Sequence, residues 1–333
     1  MKEAQFWEKK DDRVAHCHLC PQHCVIREGR SGFCRVRKNE GGVLYTLNYS
    51  RVASYALDPT EKKPLYHFYP GSHLFSLGSV GCNLRCGFCQ NWQISQKDAP
   101  TIDVAPDEAV RWTLRARRQE PGCIGLAYTY SEPSMWFEYV LDTAWSAKQE
   151  GLKNVMVTNG YVNEDPFRKL LPFIDAFNID VKGFTEDFYR KICIGRRDPV
   201  LETVEMARDA GKHVDVTNLL IPGKNDSPEE IEAMVDWLAS VDPDIPLHFS
   251  RYFPNYKMDI PPTPLSTLER AREIAVKKLR YVYLGNAWGN RWNNTYCPSC
   301  GEAVILRSGM GVRQVALDEG KCTKCGNKIA VVI

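Results

Sequence analysis

The sequence predicts an α/β protein: an open, partial barrel of about six strand–helix units, (β/α)6, with a cysteine-rich module before it and a zinc-ribbon-like module after it. Three observations predict this. From residue 74 onward short β-type runs alternate with helical patterns, which argues for a parallel sheet with right-handed crossovers. Eleven of the 13 cysteines fall into three groups, near the N-terminus, after the first strand and near the C-terminus. Polar turn motifs follow successive strands, where barrels of parallel strands carry their chemistry.

The elements follow in order. The apolar run at 74–80 is the first strand, and further strands are expected at 124–130, 154–158, 176–181, 213–221, 246–252 and 281–284. The intervening helices are expected at 106–119, 134–149, 166–171, 200–210, 228–239 and 266–279. Asp226 or Ser227 caps the helix at 228–239, with Glu230 as the capping-box partner of Ser227. Six such units are too few to close an eightfold barrel. The expected division is 1–70 for the first module, 71–290 for the barrel and 291–333 for the ribbon.

Composition bounds the function. At 333 residues, with 44% hydrophobic and 25% charged residues, the chain is ordinary for a globular protein. A formal net charge of +2 gives no sign of a nucleic-acid partner, and the basic run RWTLRARR at 111–118 reads as a solvated helix face. No stretch approaches the ~18 apolar residues of a membrane span. The N-terminal MKEAQFWEKKDDR lacks the apolar core of a signal peptide, so a cytoplasmic protein is expected. Disulfides are disfavoured there, and metal ligation explains grouped cysteines better. Cys123 and Cys193 stand alone and read as small buried hydrophobes.

The segment GCNLRCGFCQNW places Cys82, Cys86 and Cys89 in C-x3-C-x2-C spacing just after the first strand. Structural zinc closes its tetrahedron with four ligands. A [4Fe–4S] cubane offers four irons, so three thiolates leave one iron open to a substrate or cofactor. The competing reading is a zinc site completed from a distance by Cys123 or His67.

This spacing, with Phe88 in the aromatic position before the third cysteine, resembles the signature of the radical S-adenosylmethionine superfamily. The resemblance implies that the open iron is chelated by the amino and carboxylate groups of S-adenosylmethionine. It further implies that the reduced cluster cleaves this cofactor to methionine and a 5′-deoxyadenosyl radical, which removes hydrogen from a small-molecule or protein substrate. By position, it places Phe88 beside the adenine and Ser131 and Glu132 of YTYSEP at the methionine amino group. Asn159 of VTNG falls at the ribose or carboxylate, and Lys182 of NIDVKG at the carboxylate. Asp180 is assigned to a ribose hydroxyl, a cation or Lys182 itself, and Leu220 and Ile221 to the adenine. Ser131 stands where the family pattern has glycine. No catalytic residue is singled out; Tyr128, Tyr130, Tyr161, His248 and Tyr252 are expected around the mouth.

The resemblance narrows. EKKPLYHFYPGS, GCNLRCGFCQNWQISQ, YTYSEP and NIDVKGF together resemble the pyruvate formate-lyase activating-enzyme-like group. CHLCPQHCVIREGRSGFCRVR and the terminal YVYLGN and NNTYCPSCG look most like the AmmeMemoRadiSam system radical enzyme. That likeness implies AMMECR-type and Memo-type partners and a flavodoxin-like or ferredoxin-like electron donor.

At the C-terminus, Cys297, Cys300, Cys322 and Cys325 form two C-x2-C-G knuckles, the pattern of a zinc ribbon. At the N-terminus, Cys17, Cys20, Cys24 and Cys34 suit either zinc or an auxiliary iron–sulfur cluster, with His16, His18 and His23 among them as substitute ligands. Three functions compete: a radical enzyme with an unidentified substrate, an activase of a glycyl-radical enzyme, and a non-catalytic zinc-binding interaction protein.

Overall fold

The computed structural model describes residues 1–287 and 291–333; the expected barrel boundary at 290 lies outside the described residues. At its centre is an eight-stranded sheet made of β1 (Ser54–Pro59), β2 (His73–Gly78), β3 (Cys123–Tyr128), β4 (Lys153–Thr158), β5 (Ala176–Asp180), β6 (His213–Leu220), β7 (Leu247–Arg251) and β8 (Val282–Gly285). Spatial order follows chain order, so each strand pairs with its sequence neighbours. β2 to β8 are parallel, whereas β1 runs antiparallel to β2. β1 and β8 form the two open edges.

The helices α1 (Pro106–Gln119), α2 (Phe137–Gln149), α3 (Glu164–Leu170), α4 (Asp198–Asp209), α5 (Pro228–Val241) and α6 (Leu265–Ala275) fill the six crossovers. The expected six strand–helix units are therefore present, with β8 added after the sixth. The helix ends follow local chemistry. α1 opens with Pro106, carries Asp107 and Glu108 in its first turn and ends on Arg117 and Arg118, matching the helix dipole. Arg117 departs from the expected solvated face: it donates to the carbonyls of Cys123 (3.1 Å) and Ile124 (3.0 Å), stapling α1 to β3. Ser227 caps α5 by accepting from the Glu230 amide, but Glu230 does not complete the box. Its carboxylate accepts instead from the Phe184 amide at 2.6 Å, tying α5 to the loop after β5.

β1 was not expected; residues 54–59 lay in the anticipated first module. Its alternating burial resembles an exposed hairpin strand in sequence, and pairing with β2 brings it into the barrel sheet. The segment before it forms two small antiparallel sheets. These dock on α2 through a fully buried pair: Arg37 donates to Glu138 at 2.6 Å and to the Gln5 carbonyl at 2.8 Å, while the Gln5 amide donates to Glu138.

The C-terminal module seals the opposite end. Val332 bridges Phe68 in parallel fashion and joins Leu65, Phe68, Leu74, Ala127, Val155 and Ala176 in an apolar cluster near the strand starts. Arg307 is buried beneath it, donating to Tyr66 O (2.6 Å) and Thr295 Oγ1 (2.9 Å) and facing Glu61. Both flanking modules are thus packed against the barrel. Among the described residues no helix is long and apolar enough to cross a membrane.

Candidate active site

The carboxyl ends of the strands surround a cleft of about 470 Å³, within the range of small-molecule sites. β2 ends at Gly78 and delivers the loop carrying Cys82, Cys86 and Cys89, all three of which line the cleft. Gly81 bends this loop with φ +93°; a Cβ there would meet Val36 Cγ1 at 2.6 Å and Cys34 O at 2.9 Å. The N-terminal module therefore lies directly on the loop. Gln22 donates to the carbonyls of Asn83 (3.0 Å) and Ile194 (2.9 Å), and Arg85 donates to the Phe33 carbonyl.

Each thiol has its own surroundings. Cys82 Sγ accepts from the Leu84 amide (3.4 Å) and from Asn159 Nδ2 (3.6 Å), and Cys89 Sγ meets Ser95 Oγ at 3.2 Å. Burial pushes the Cys82 and Cys89 thiols up, whereas contact with Cys193 is the largest influence raising Cys86. Without a metal these thiols stay protonated at neutral pH. Cys193 is fully buried behind Cys86 and is not part of the cleft wall.

Phe88, Ser131, Glu132, Asn159, Asp180 and Lys182 also line this cleft, so of the residues assigned to the cofactor all but Leu220 and Ile221 reach it. Several are already engaged with protein. Glu132 is buried; Oε1 accepts from Thr158 Oγ1 (2.6 Å) and Ser134 N (3.0 Å), and Oε2 from Asn159 N (2.8 Å). Burial raises its carboxyl, opposed by these donors. With two acceptor sites on each oxygen, one on Oε2 is left for an incoming donor. Asn159 donates through Nδ2 to Asn83 Oδ1 (2.9 Å) and Cys82, and accepts at Oδ1 from Tyr161 N (2.8 Å). Its amide thereby ties the cysteine loop to the end of β4. Lys182 Nζ donates to Asp180 at 2.9 Å and lies 6.0 Å from the Phe88 ring centre. Burial opposes the Lys182 charge, but Asp180 beside it raises the ammonium.

Other expected residues lie elsewhere. Leu220 and Ile221 are fully buried, and Leu219 lines the cleft; the strand pleat turns alternate residues inward. Of the five mouth residues only Tyr130 lines the cleft. His248 donates through Nε2 to the Asp215 carboxylate (2.8 Å) within the core, and Tyr128 meets Asn154. Cys123 pairs with His73 at the start of β2, five residues before Gly78, or about 17 Å down the strand. His67 is held by Tyr283 and Ala330 near the ribbon. Neither is placed to complete a metal site with the triad.

Sequence reading missed one wall. Asp58 accepts from Lys62, Lys63 and Tyr130, each at 2.6 Å, and Lys62, Lys63 and Tyr130 line the cleft. Burial opposes ionisation of Asp58, yet these donors hold its carboxyl well below the usual range. The paired lysines of EKKP were the available signal, but only the sheet brings them to Tyr130.

The flanking cysteines differ in geometry. Cys297 and Cys325 sulfurs are 3.6 Å apart, Cys300 and Cys322 sulfurs 3.8 Å, and all four lie within 4.8 Å of one another. Bonds of about 2.3 Å to one tetrahedral zinc would separate thiolates by about 3.8 Å. Cys17, Cys20, Cys24 and Cys34 instead surround a small cavity, joined by Leu19, Ile26 and Phe33.

The comparisons with known proteins agree with this geometry. The family model described as "Radical SAM superfamily" matches residues 77–238, the span from the end of β2 through most of α5. An uncharacterized protein of Methanocaldococcus jannaschii is 45% identical over the full length of both chains. A pyruvate formate-lyase-activating enzyme of Listeria monocytogenes is 21% identical over 170 residues, covering 48% of this chain and 67% of that protein. Among solved structures, Streptococcus suis SuiB bound to precursor peptide SuiA shares the fold with a TM-score of 0.52 at 16% identity. That match covers 69% of this chain and about half of SuiB (51%). The chain belongs to the radical S-adenosylmethionine superfamily, within the group related to pyruvate formate-lyase activating enzymes.

Proposed function

We propose that the chain uses a [4Fe–4S] cluster on Cys82, Cys86 and Cys89 to cleave S-adenosylmethionine reductively and draw hydrogen from a substrate in the cleft. The observation that carries this is the placement of exactly these three thiols on one cleft wall, facing strand ends that hold Ser131, Glu132, Asp180 and Lys182. When bound, the cluster supplies one electron to the sulfonium and thereby generates the 5′-deoxyadenosyl radical. The chain's own residues bind and orient. The spare acceptor of Glu132 Oε2 and the Ser131 turn suit an ammonium, Lys182 suits a carboxylate, and Phe88 offers a flat apolar face. Asn159 keeps Cys82 in place. The Asp58–Lys62–Lys63–Tyr130 wall is left for the substrate.

The ribbon sulfurs fit one structural zinc. The N-terminal thiols are read as ligands of an auxiliary iron–sulfur cluster, because they line a shared cavity without converging within 4.8 Å as the ribbon sulfurs do, and each cubane thiolate bonds a different iron. That cluster would sit against the triad loop through Cys34 and Gly81, a position suited to relaying electrons from a flavodoxin- or ferredoxin-like donor. AMMECR-type and Memo-type proteins are the proposed partners, on the motif likeness alone, and a cytoplasmic setting suits the oxygen-sensitive chemistry.

Anaerobically reconstituted chain given reductant should convert S-adenosylmethionine to 5′-deoxyadenosine; a colourless protein holding zinc alone would leave only a metal-binding scaffold. Metal counting separates the modules. Wild type should hold about eight irons and the Cys17→Ala/Cys20→Ala variant about four, with ribbon zinc unchanged in both. Zinc loss in that variant would assign zinc to the N-terminal set. Cys193→Ser should keep the triad's iron and its cleavage activity, since Cys193 stands behind Cys86, away from the cleft. Loss of cluster iron there would make Cys193 a fourth ligand.

A further inference from the structure

The strand at Val14–Cys17 alternates its faces: Ala15 and Cys17 point into the module, while His16 points outward. His18 and His23 emerge on the same outer side, so the histidines do not join the cysteine cavity. One ligand nitrogen from each of His16, His18 and His23 lies within 4.8 Å of the others. The His16 and His18 ring centres are 4.1 Å apart, and His23 stands 6.2 and 6.0 Å from them. Glu8 Oε1, on the neighbouring strand, lies 3.2 Å from both His16 Nδ1 and His18 Nε2. Three imidazoles held this close would repel if all were protonated, and nothing in the cysteine chemistry requires them.

We propose that His16, His18 and His23, steadied by Glu8, form a surface site for one divalent transition-metal ion of the zinc type, separate from the cysteine cavity behind it. Neutral imidazole is a preferred donor for zinc, cobalt, nickel and copper. Small side-chain rotations bring the three nitrogens to the roughly 3.3 Å separation that bonds of 2.0–2.1 Å require. Glu8 supplies the carboxylate that commonly orients and charge-balances metal-bound histidine. Arg196, near His23, is a cation that opposes the ion. Three protein ligands on an exposed face leave coordination positions open to water or to a donor group from outside.

The test uses tag-free full-length chain with its iron and ribbon zinc already loaded, titrated with Co²⁺ and then Zn²⁺. The expected result is one further equivalent, with cobalt d–d absorption but no thiolate-to-cobalt charge-transfer band. The His16→Ala/His18→Ala pair should weaken binding by roughly 100-fold or more, and Glu8→Gln by about tenfold. Unchanged ribbon zinc and iron in these variants shows that the module still folds. Binding that survives the double substitution, a thiolate band, or no additional equivalent would each overturn the site.

Discussion

Cys86→Ala is expected to lower formation of 5′-deoxyadenosine by on the order of a thousandfold or more, to the background of the reductant. Two thiolates cannot hold a cubane whose remaining corner must stay open, so the variant loses the cluster rather than a fraction of its rate. The same variant should keep its ribbon zinc, because Cys297, Cys300, Cys322 and Cys325 lie at the other end of the barrel and converge without help from the triad. Chromatographic quantitation of 5′-deoxyadenosine, beside iron and zinc per chain, makes the check. Cleavage at the wild-type rate would refute the assignment. A related outcome concerns pH. Contact with Cys193 raises the Cys86 thiol and burial raises Cys82 and Cys89, so cluster uptake must displace protons. Affinity in reconstitution should therefore rise with pH through the neutral range, and competition with an iron chelator at several pH values measures it.

The second large effect is on stability. Glu132→Ala should destabilise the fold by about 3–5 kcal/mol, because it strands the Thr158 hydroxyl and the Ser134 and Asn159 amides in a buried site. Glu132→Gln should cost less, about 1–3 kcal/mol, since its amide nitrogen meets only the Asn159 N–H as a second donor. Asn159 in turn holds Asn83 and Cys82, so the alanine variant should also retain less iron than wild type. Urea unfolding of the zinc-loaded, iron-free chain isolates the stability effect from cluster loss. A midpoint equal to wild type would show that the carboxylate does not clamp these strand ends.

The split between what was legible in sequence and what was not follows the range of the forces involved. The triad spacing, the ribbon knuckles, the six helices and the order of the strands are local or periodic properties, and they were readable from residues a few positions apart. The polar residues after successive strands were also readable as a shared site, because parallel strands deliver their carboxyl ends to one face.

What each side chain does there was not readable. Asn159 and Glu132 read as cofactor contacts, and the structure adds bonds to neighbouring strand ends and the cysteine loop; apart from the Ser134 and Tyr161 amides two residues on, those partners lie 26 to 77 residues away. The antiparallel β1, the Asp58–Lys63–Tyr130 wall and the separation of inward cysteines from outward histidines likewise depended on packing. Sequence alone determined which atoms were available for metal and cofactor chemistry and roughly where along the chain they fall. Tertiary structure decided which of them face the cleft, which face one another and which face solvent, because a buried donor or charge must find its partner in space and not along the chain.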